Sequence, residues 1–585
     1  MFLKLNKNKV DLAMKNKISK KTLFPALAIL FVIVFFVGSF LFKRYSPSHE
    51  KADVAKQYSL LTDAQVAILL DCNLQENQAS LIDGSVYLDY SFLHDHLNAR
   101  FYWDSNENKL IYTTASDLIM VSPDSKNYDV NRDTKEFKNK IVILSGNKCY
   151  VNIDFAKKYS TFTYKYFKNP ARITVTSKFG KTKTAISKHN TEVRVRGGIK
   201  SPIMKEIKAN DSLFVISQDT KWTKVMTKDG IIGYIKSGSL SNIKNITLKS
   251  GKSPEKFKHL SRNFTINMAW HQVTSQSANS KISSVLSSTK GVNVISPTWF
   301  YVNDNNGNIK SLASTDYVNY CHKNKVEVWA LVSNLENPNI DSTYVLTHTS
   351  TRQNLVNQIV SSAIQYNLDG INIDFESLNG KKVGDSYIQF IRELSLRCKD
   401  NHIVLSVDNY VPSAYTAFYN RKEQSNFADY ICVMAYDEHT TNSDEAGSTA
   451  SLPWVKKGIK NTLKYVPKEQ IIMGVPLYTR LWSADSTDDS ELTNADYKVN
   501  KTCGISSIDK LLNTTKAKKK WLKDDFQYYI EYQQDNTSYK MWIEDNKSLN
   551  AKLNVVTDNQ LAGAAFWKLG FENDSTWAVI SKKLK

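Results

Sequence analysis

Asn372, Asp374 and Glu376 sit at every second position of the run Asp369-Gly370-Ile371-Asn372-Ile373-Asp374-Phe375-Glu376, with Ile371, Ile373 and Phe375 between them. A period of two is that of a β-strand, with the three polar groups on one face and the three apolar groups on the other. Leu368 and helix-like segments on both sides point to a buried parallel strand, whose polar side chains must then face something functional. A Glu at the end of such a strand, backed by an Asp two residues earlier, suits general acid catalysis. The neighbouring negative charge raises the Glu pKa and helps keep it protonated near neutrality. A solvated strand end or a salt-bridge site is the plainer reading of the same alternation.

The elements around this strand favour chemistry. From residue 263 onward, strand-like runs alternate with helix-like ones: Phe264–Ala269, Val292–Ser296, Val326–Val332, Leu368–Asp374, Ile403–Asp408, Tyr430–Ala435, Ile471–Val475 and Ala562–Trp567. Eight such strands over residues 263–585 predict an α/β TIM barrel, (βα)8, in which the active site lies at the carboxyl ends of the strands, where Glu376 falls. Thr351 is expected to cap a helix with Leu355, Ile359, Val360, Ala363 and Ile364 on one face. Asp385 is expected to cap the next, with Tyr387, Ile391, Leu394 and Cys398 facing inward. The long connection from Tyr478 to Leu561, with strand-like Tyr528–Tyr532 and Tyr539–Ile543, predicts a small α+β insertion. Other strand ends bring Ser406-Val407-Asp408-Asn409-Tyr410, Met434-Ala435-Tyr436-Asp437, Val475-Pro476-Leu477-Tyr478 and Phe566-Trp567 to the same mouth. Aromatics there suit stacking on sugar rings, although each could equally pack a core.

The ordered set D-G-I-N-I-D-F-E, M-A-Y-D, G-V-P-L-Y and A-A-F-W resembles glycoside hydrolase family 18, the chitinase-like family. The segments I-S-P-T-W-F-Y at 295–301, W-A-L-V-S-N at 329–334 and M-W-I-E-D at 541–545 resemble its spore-cortex and peptidoglycan N-acetylglucosaminidase branch. The resemblance implies a substrate-assisted, retaining cleavage, an exception to the two-carboxylate rule. Glu376 would protonate the leaving oxygen, Asp374 would orient the substrate acetamido group, and Tyr436 would hydrogen-bond its carbonyl oxygen. Trp567 would floor the pocket and Asp437 would contact a sugar hydroxyl or tune the acid. Met434, Tyr478, Tyr410, Trp299 and Asn372 complete the candidate substrate contacts. Many members carry Asp where this chain has Asn372, although Asn also fits the broader family pattern. Asn can hydrogen-bond but cannot take up charge, so a shifted pH profile is expected rather than lost activity.

The rest of the 585-residue chain is too long for one core and reads as multidomain, with 42% hydrophobic and 23% charged residues. Of the formal charge of +20, residues 1–44 carry nine Lys/Arg against one Asp. The remaining excess is spread without a dense basic block, which argues against nucleic acid and for mild attraction to an anionic wall or membrane surface. Leu23–Phe42 is uncharged and long enough to span a bilayer. Seven lysines precede it and only Lys43-Arg44 follow, so residues 1–44 read as a cytoplasmic tail and transmembrane signal anchor that exports the remainder to the cell exterior. A cleaved signal peptide, and hence secretion, is the competitor.

After a polar linker at 45–57, residues 58–178 hold an α+β repeat. Gly84, Tyr87, Leu88, Asp89 and Phe92 match Gly146, Tyr150, Val151, Asn152 and Phe155, each unit reading strand, short helix, hairpin. This resembles the module named from the N-terminus of copper amine oxidases, taken here as a spacer or wall-contact module. Residues 182–243 read as a small all-β barrel. The order V-R-V-R, W-x-x-V, D-G-x-x-G-Y-I resembles bacterial Src-homology-3-like domains and implies a cell-wall targeting role. A linker at 244–262 follows. No C-x-x-C pair occurs among the six cysteines, and His94-x-His96 has no evident third ligand, so no metal, disulfide framework or cofactor is expected. The expected protein is a monomeric, membrane-anchored extracellular glycosidase acting on N-acetylglucosamine-containing polysaccharide, peptidoglycan or chitin. The competing class is a non-catalytic, lectin-like wall protein on the same barrel, and the third is an architectural envelope protein.

Overall fold

The structure is a computed structural model and describes residues 20–485 and 492–584. Lys4, Lys7, Lys9, Lys15 and Lys17, on which the expected membrane orientation leans, lie outside the described residues. The helix Lys20–Tyr45 is long and apolar enough to cross a membrane, and its apolar side chains are exposed along its length.

The chain divides into two compact units that do not follow the boundaries read from the sequence. One takes the chain up to Asp89 and again Ala156–Lys252. It contains a sheet segment in the order Thr163–Phe167, Arg172–Thr176, Gln65–Leu70, Asn73–Ile82, Ser85–Asp89. It also contains a separate seven-stranded antiparallel sheet spanning 180–248. The two share one core, in which Tyr58, Ala67 and Leu69 pack with Ala185, Val193, Leu213 and Ile235. Buried Arg172 reaches from the first to Asp229 of the second at 3.0 Å.

The other unit holds Tyr90–Phe155 and the chain from Ser253 onward. Its centre is a closed barrel of eight parallel strands: β1 (Ile266–His271), β2 (Val294–Pro297), β3 (Glu327–Ser333), β4 (Gly370–Asp374), β5 (Val404–Tyr410), β6 (Tyr430–Met434), β7 (Ile471–Pro476) and β8 (Gly563–Trp567). β8 pairs with both β7 and β1, and β2 pairs with β3, which closes the ring. The strands are buried on both faces, as parallel strands between a filled barrel interior and an outer helix layer must be. The Tyr478–Leu561 connection folds into a five-stranded antiparallel sheet with the helix Ile505–Thr515.

Two helix starts differ from expectation. Helix α1 runs Thr349–Gln365, so Thr351 lies inside the first turn, buried, its hydroxyl donating to the Val345 carbonyl at 2.8 Å. The cap comes from far away in sequence: the Asp104 carboxylate accepts from the Thr349 N–H at 2.7 Å. Helix α2 runs Gly380–Asp400 and therefore starts before Asp385, which is exposed in its second turn. A Cβ at Gly380 would stand 2.2 Å from the Phe418 ring, so glycine lets α2 begin against that ring. Ile364 is 56% exposed; the buried face of α1 is Leu355, Val356, Ile359, Val360 and Ala363.

Asp104 belongs to a five-stranded antiparallel sheet between Phe101 and Glu136 that lies against α1 and α2. Tyr102 Oη meets Ser386 Oγ at 2.9 Å, and Gln389 donates to Thr113 Oγ1 at 3.0 Å. The buried Arg352 pairs with Glu393 beneath it. The hairpin of the first sequence repeat is thus part of the barrel's unit, while the hairpin of the second belongs to the other.

Candidate active site

β4 delivers Asp374 at its carboxyl end, and the chain continues through Phe375 to Glu376. Phe375 turns outward and stacks on Phe390 of α2 at 5.4 Å, so alternation sends Asp374 and Glu376 the other way, into the mouth of the barrel. The backbone there is held on both sides. Asn334, just past β3, accepts from the Glu376 N–H at 2.8 Å and donates to the Glu376 carbonyl at 3.0 Å. Tyr419 donates its hydroxyl to the Phe375 carbonyl at 2.8 Å. Tyr410, at the end of β5, donates its hydroxyl to Glu376 Oε2 at 2.6 Å.

Both carboxyls are pushed up. For Glu376 the first cause is burial, opposed by the Tyr410 hydrogen bond and reinforced by the charges of Asp437 and Glu336. Desolvation is the larger cause, and the repulsion between Asp374 and Glu376 acts on the two as a pair. Asp374 itself is raised well above the carboxylate range, by burial first and then by Glu376, Asp408 and Glu336. Asp374 Oδ1 is buried with no hydrogen-bond partner. A carboxyl so placed is open to a donor that a ligand would supply.

Asn372 is not a substrate contact. It is fully buried, and all four of its hydrogen-bonding positions are filled by protein. Its Oδ1 accepts from Trp270 Nε1 at 2.9 Å and Ser296 Oγ at 3.2 Å, while Nδ2 donates to Ser406 Oγ at 3.0 Å and Asp408 Oδ1 at 2.7 Å. Asp408, 2% exposed, also accepts from the Cys432 thiol; burial nonetheless lifts its pKa to about 8.

The later strands complete the mouth. Tyr436 follows β6 with its ring edge-on to Trp270 at 6.5 Å and to Tyr478 at 6.3 Å. Gly474 on β7 makes room for it, since a Cβ there would lie 3.1 Å from the Tyr436 ring and 2.9 Å from the Val433 carbonyl. Trp567 ends β8 partly exposed, its ring 5.8 Å from Trp270. Asp437 takes a left-handed backbone, φ +62, and its Oδ1 receives both the Tyr478 hydroxyl and the Arg480 guanidinium. Met434 is nearly buried at the end of β6. Trp299 is corrected: it is fully buried, donates its indole N–H to Asn279 at 2.9 Å and packs on Tyr317, leaving no surface for a ligand.

Sequence reasoning gave no role to Asn334 or Trp270, and it brought Asp408 to the mouth without assigning it one. Asn334 ends the W-A-L-V-S-N segment, and Asp408 lies two residues before Tyr410 on the same strand, so spacing placed both near the site. Trp270 near the end of β1 carried no motif.

Residues 230–572 match the model of the glycosyl hydrolases family 18, and residues 71–177 match that of the copper amine oxidase N-terminal domain. An uncharacterized glycosylase of Bacillus subtilis strain 168, YvbX, is 28% identical over 295 residues, covering 48% of this chain and 82% of that protein. The cortical fragment-lytic enzyme of Bacillus anthracis is 22% identical over 43% of this chain and 58% of its own length. Among solved structures, the Bacillus cereus spore cortex-lytic enzyme SleL aligns with a TM-score of 0.49 at 16% identity, over 59% of this chain and 79% of that one. With a family model spanning more than half its residues, the chain belongs to the glycosyl hydrolases of family 18, and it is a glycosidase.

Proposed function

We propose that this protein cleaves β-1,4 bonds next to N-acetylglucosamine in peptidoglycan or a chitin-like glycan, with retention and with the substrate's own acetamido group as nucleophile. One observation carries the reading: Glu376 and Asp374 stand together at the mouth of the barrel, without an ion pair among the described residues, and burial raises both, which favours the protonated form that an acid catalyst needs. Glu376 donates that proton to the departing glycosidic oxygen. The acetamido carbonyl oxygen bonds to the anomeric carbon as the glycosidic bond breaks, forming an oxazolinium-like ring. Asp374, whose Oδ1 lacks a partner, accepts the acetamido N–H and offsets the positive charge. Tyr436 hydrogen-bonds the acetamido carbonyl oxygen and Trp567 floors the reacting sugar. Water, deprotonated by Glu376, then opens the ring from the side the leaving group vacated.

The wider chain fits an outward-facing wall enzyme. The Lys20–Tyr45 helix anchors it in the cell membrane. The 180–248 sheet is a Src-homology-3-like module that holds cell wall, and residues 58–178 add a wall-contact or spacer module. The deciding experiment measures reducing-end release from chitin oligomers and from peptidoglycan by the wild type and Glu376→Gln. Release by the wild type alone supports the reading. Binding without release by the wild type would sink it in favour of a lectin-like protein.

A further inference from the structure

We propose that Asp408 is a positioning residue that sets the ionisation of Asp374, and that Asn372 holds it in that role. The inference rests on the reading of Asp374 as the group that meets the acetamido N–H.

β4 and β5 run parallel, with Ile373 paired to Val407, so one step further along the two strands Asp374 and Asp408 are neighbours. Asp408 is almost completely buried and cannot swing out. Asn372 grips Oδ1 at 2.7 Å and is itself fixed by Trp270, Ser296 and Ser406, while the Cys432 thiol holds Asp408 from β6. The titratable groups facing it are Asp374 at the end of β4 and Glu376 just past it, Cys432 and Tyr436 from β6 and its end, and Tyr387 from α2. No Arg, Lys or His stands among them. Two carboxyls in one buried space, with no cation facing Asp408 among the described residues, cannot both ionise cheaply, so they titrate as a pair.

This gives Asp408 a task that the reaction otherwise leaves unfilled. Asp374 must be negative when the oxazolinium-like ring forms, and negative charge on Asp408 opposes that, so the proton held between the two carboxyls sets when Asp374 can act. The amide of Asn372 cannot store a proton or a charge. The nearest buried carboxyl able to do so stands on the next strand.

The test compares kcat/KM against pH for the full chain in detergent on a chromogenic chitin oligosaccharide, using wild type, Asp408→Asn, Asn372→Asp and the double exchange N372D/D408N. Removing the Asp408 carboxyl makes Asp374 easier to ionise, so the acidic limb of the profile moves down by about one pH unit. Asn372→Asp adds a carboxyl and moves that limb up, and the double exchange returns it toward wild type. A lowered kcat with the limb unmoved in Asp408→Asn overturns the proposal, because a merely structural Asp408 would do that. If Asp408→Asn does not fold, Asn372→Asp decides alone: an unmoved limb overturns the proposal. Absence of any turnover by the wild type overturns the glycosidic mechanism, and this inference with it.

Discussion

Glu376 and Glu423 are two glutamates of the same unit, both largely withdrawn from water, yet they are driven in opposite directions. Glu423 lies between two guanidiniums: Arg100 Nε reaches its Oε1 at 2.7 Å and Arg392 Nε at 3.0 Å. Burial pushes Glu423 up, but Arg392, Arg100 and their hydrogen bonds outweigh it and its pKa falls. Among the described residues the Glu376 carboxyl group is met by the Tyr410 hydroxyl and by no guanidinium, and it rises. Burial alone therefore does not make an acid catalyst. Within the mouth the Arg480 guanidinium goes to Asp437 and not to Glu376, while the helix layer gives Glu423 two guanidiniums.

Breaking the Glu376 side of this contrast has the largest expected effect. Glu376→Gln should lower kcat by roughly 10²–10⁴ while leaving glycan binding intact, measured by steady-state kinetics and equilibrium binding. Asp374→Ala should cost roughly 10²–10³ in kcat; undiminished turnover would refute its acetamido role. On the other side, Arg392→Leu leaves Glu423 with one cation in place of two. It should cost about 3 kcal/mol in denaturant unfolding and leave the pH optimum where it is. A moved optimum would mean that the two regions are electrically linked.

Smaller effects sharpen the comparison. Tyr410→Phe removes the one contact that lowers the Glu376 pKa, so the acid keeps its proton longer and the alkaline limb of kcat/KM should move up by about half a pH unit. Stability should separate the two sites by sign. Glu423, depressed when folded, contributes stability above its unfolded pKa that is lost as pH falls through its folded value. Asp374, raised when folded, contributes stability in acid that is lost as pH rises through its folded value. Asp374→Asn should therefore melt higher than wild type, by a margin that widens as pH rises, in calorimetry across pH 5–9, taken as a window of roughly that width around neutrality.

The barrel was legible because its signals are local. Each strand is an apolar run bounded by turn residues, and the eight expected runs fall on the eight observed strands to within about two residues. The acid and its strand were legible through alternation. What escaped depended on contacts between distant segments. Thr351 and Asp385 are good capping residues by type, but Asp104 caps α1 from 245 positions away and Gly380 starts α2 against Phe418. Asn372 looked like a substrate contact because its neighbours two residues on are polar and active. Its own hydrogen bonds, all supplied by other strands, show it to be a buried clamp. Trp299 sits in a segment that carries the family resemblance, yet its ring serves the core.

The sheet from Phe101 to Glu136 has a consequence for how this enzyme can be cut, shuffled or inherited. Asp104, Tyr102 and Thr113 meet α1 and α2, the helices on either side of the strand that carries the acid. An expression fragment beginning at residue 263 would keep every catalytic group and still expose Thr349, Ser386 and Gln389 without their partners. The heritable cassette is therefore discontinuous: the barrel can travel to a new architecture only with a piece of chain that lies more than a hundred residues upstream of its first strand.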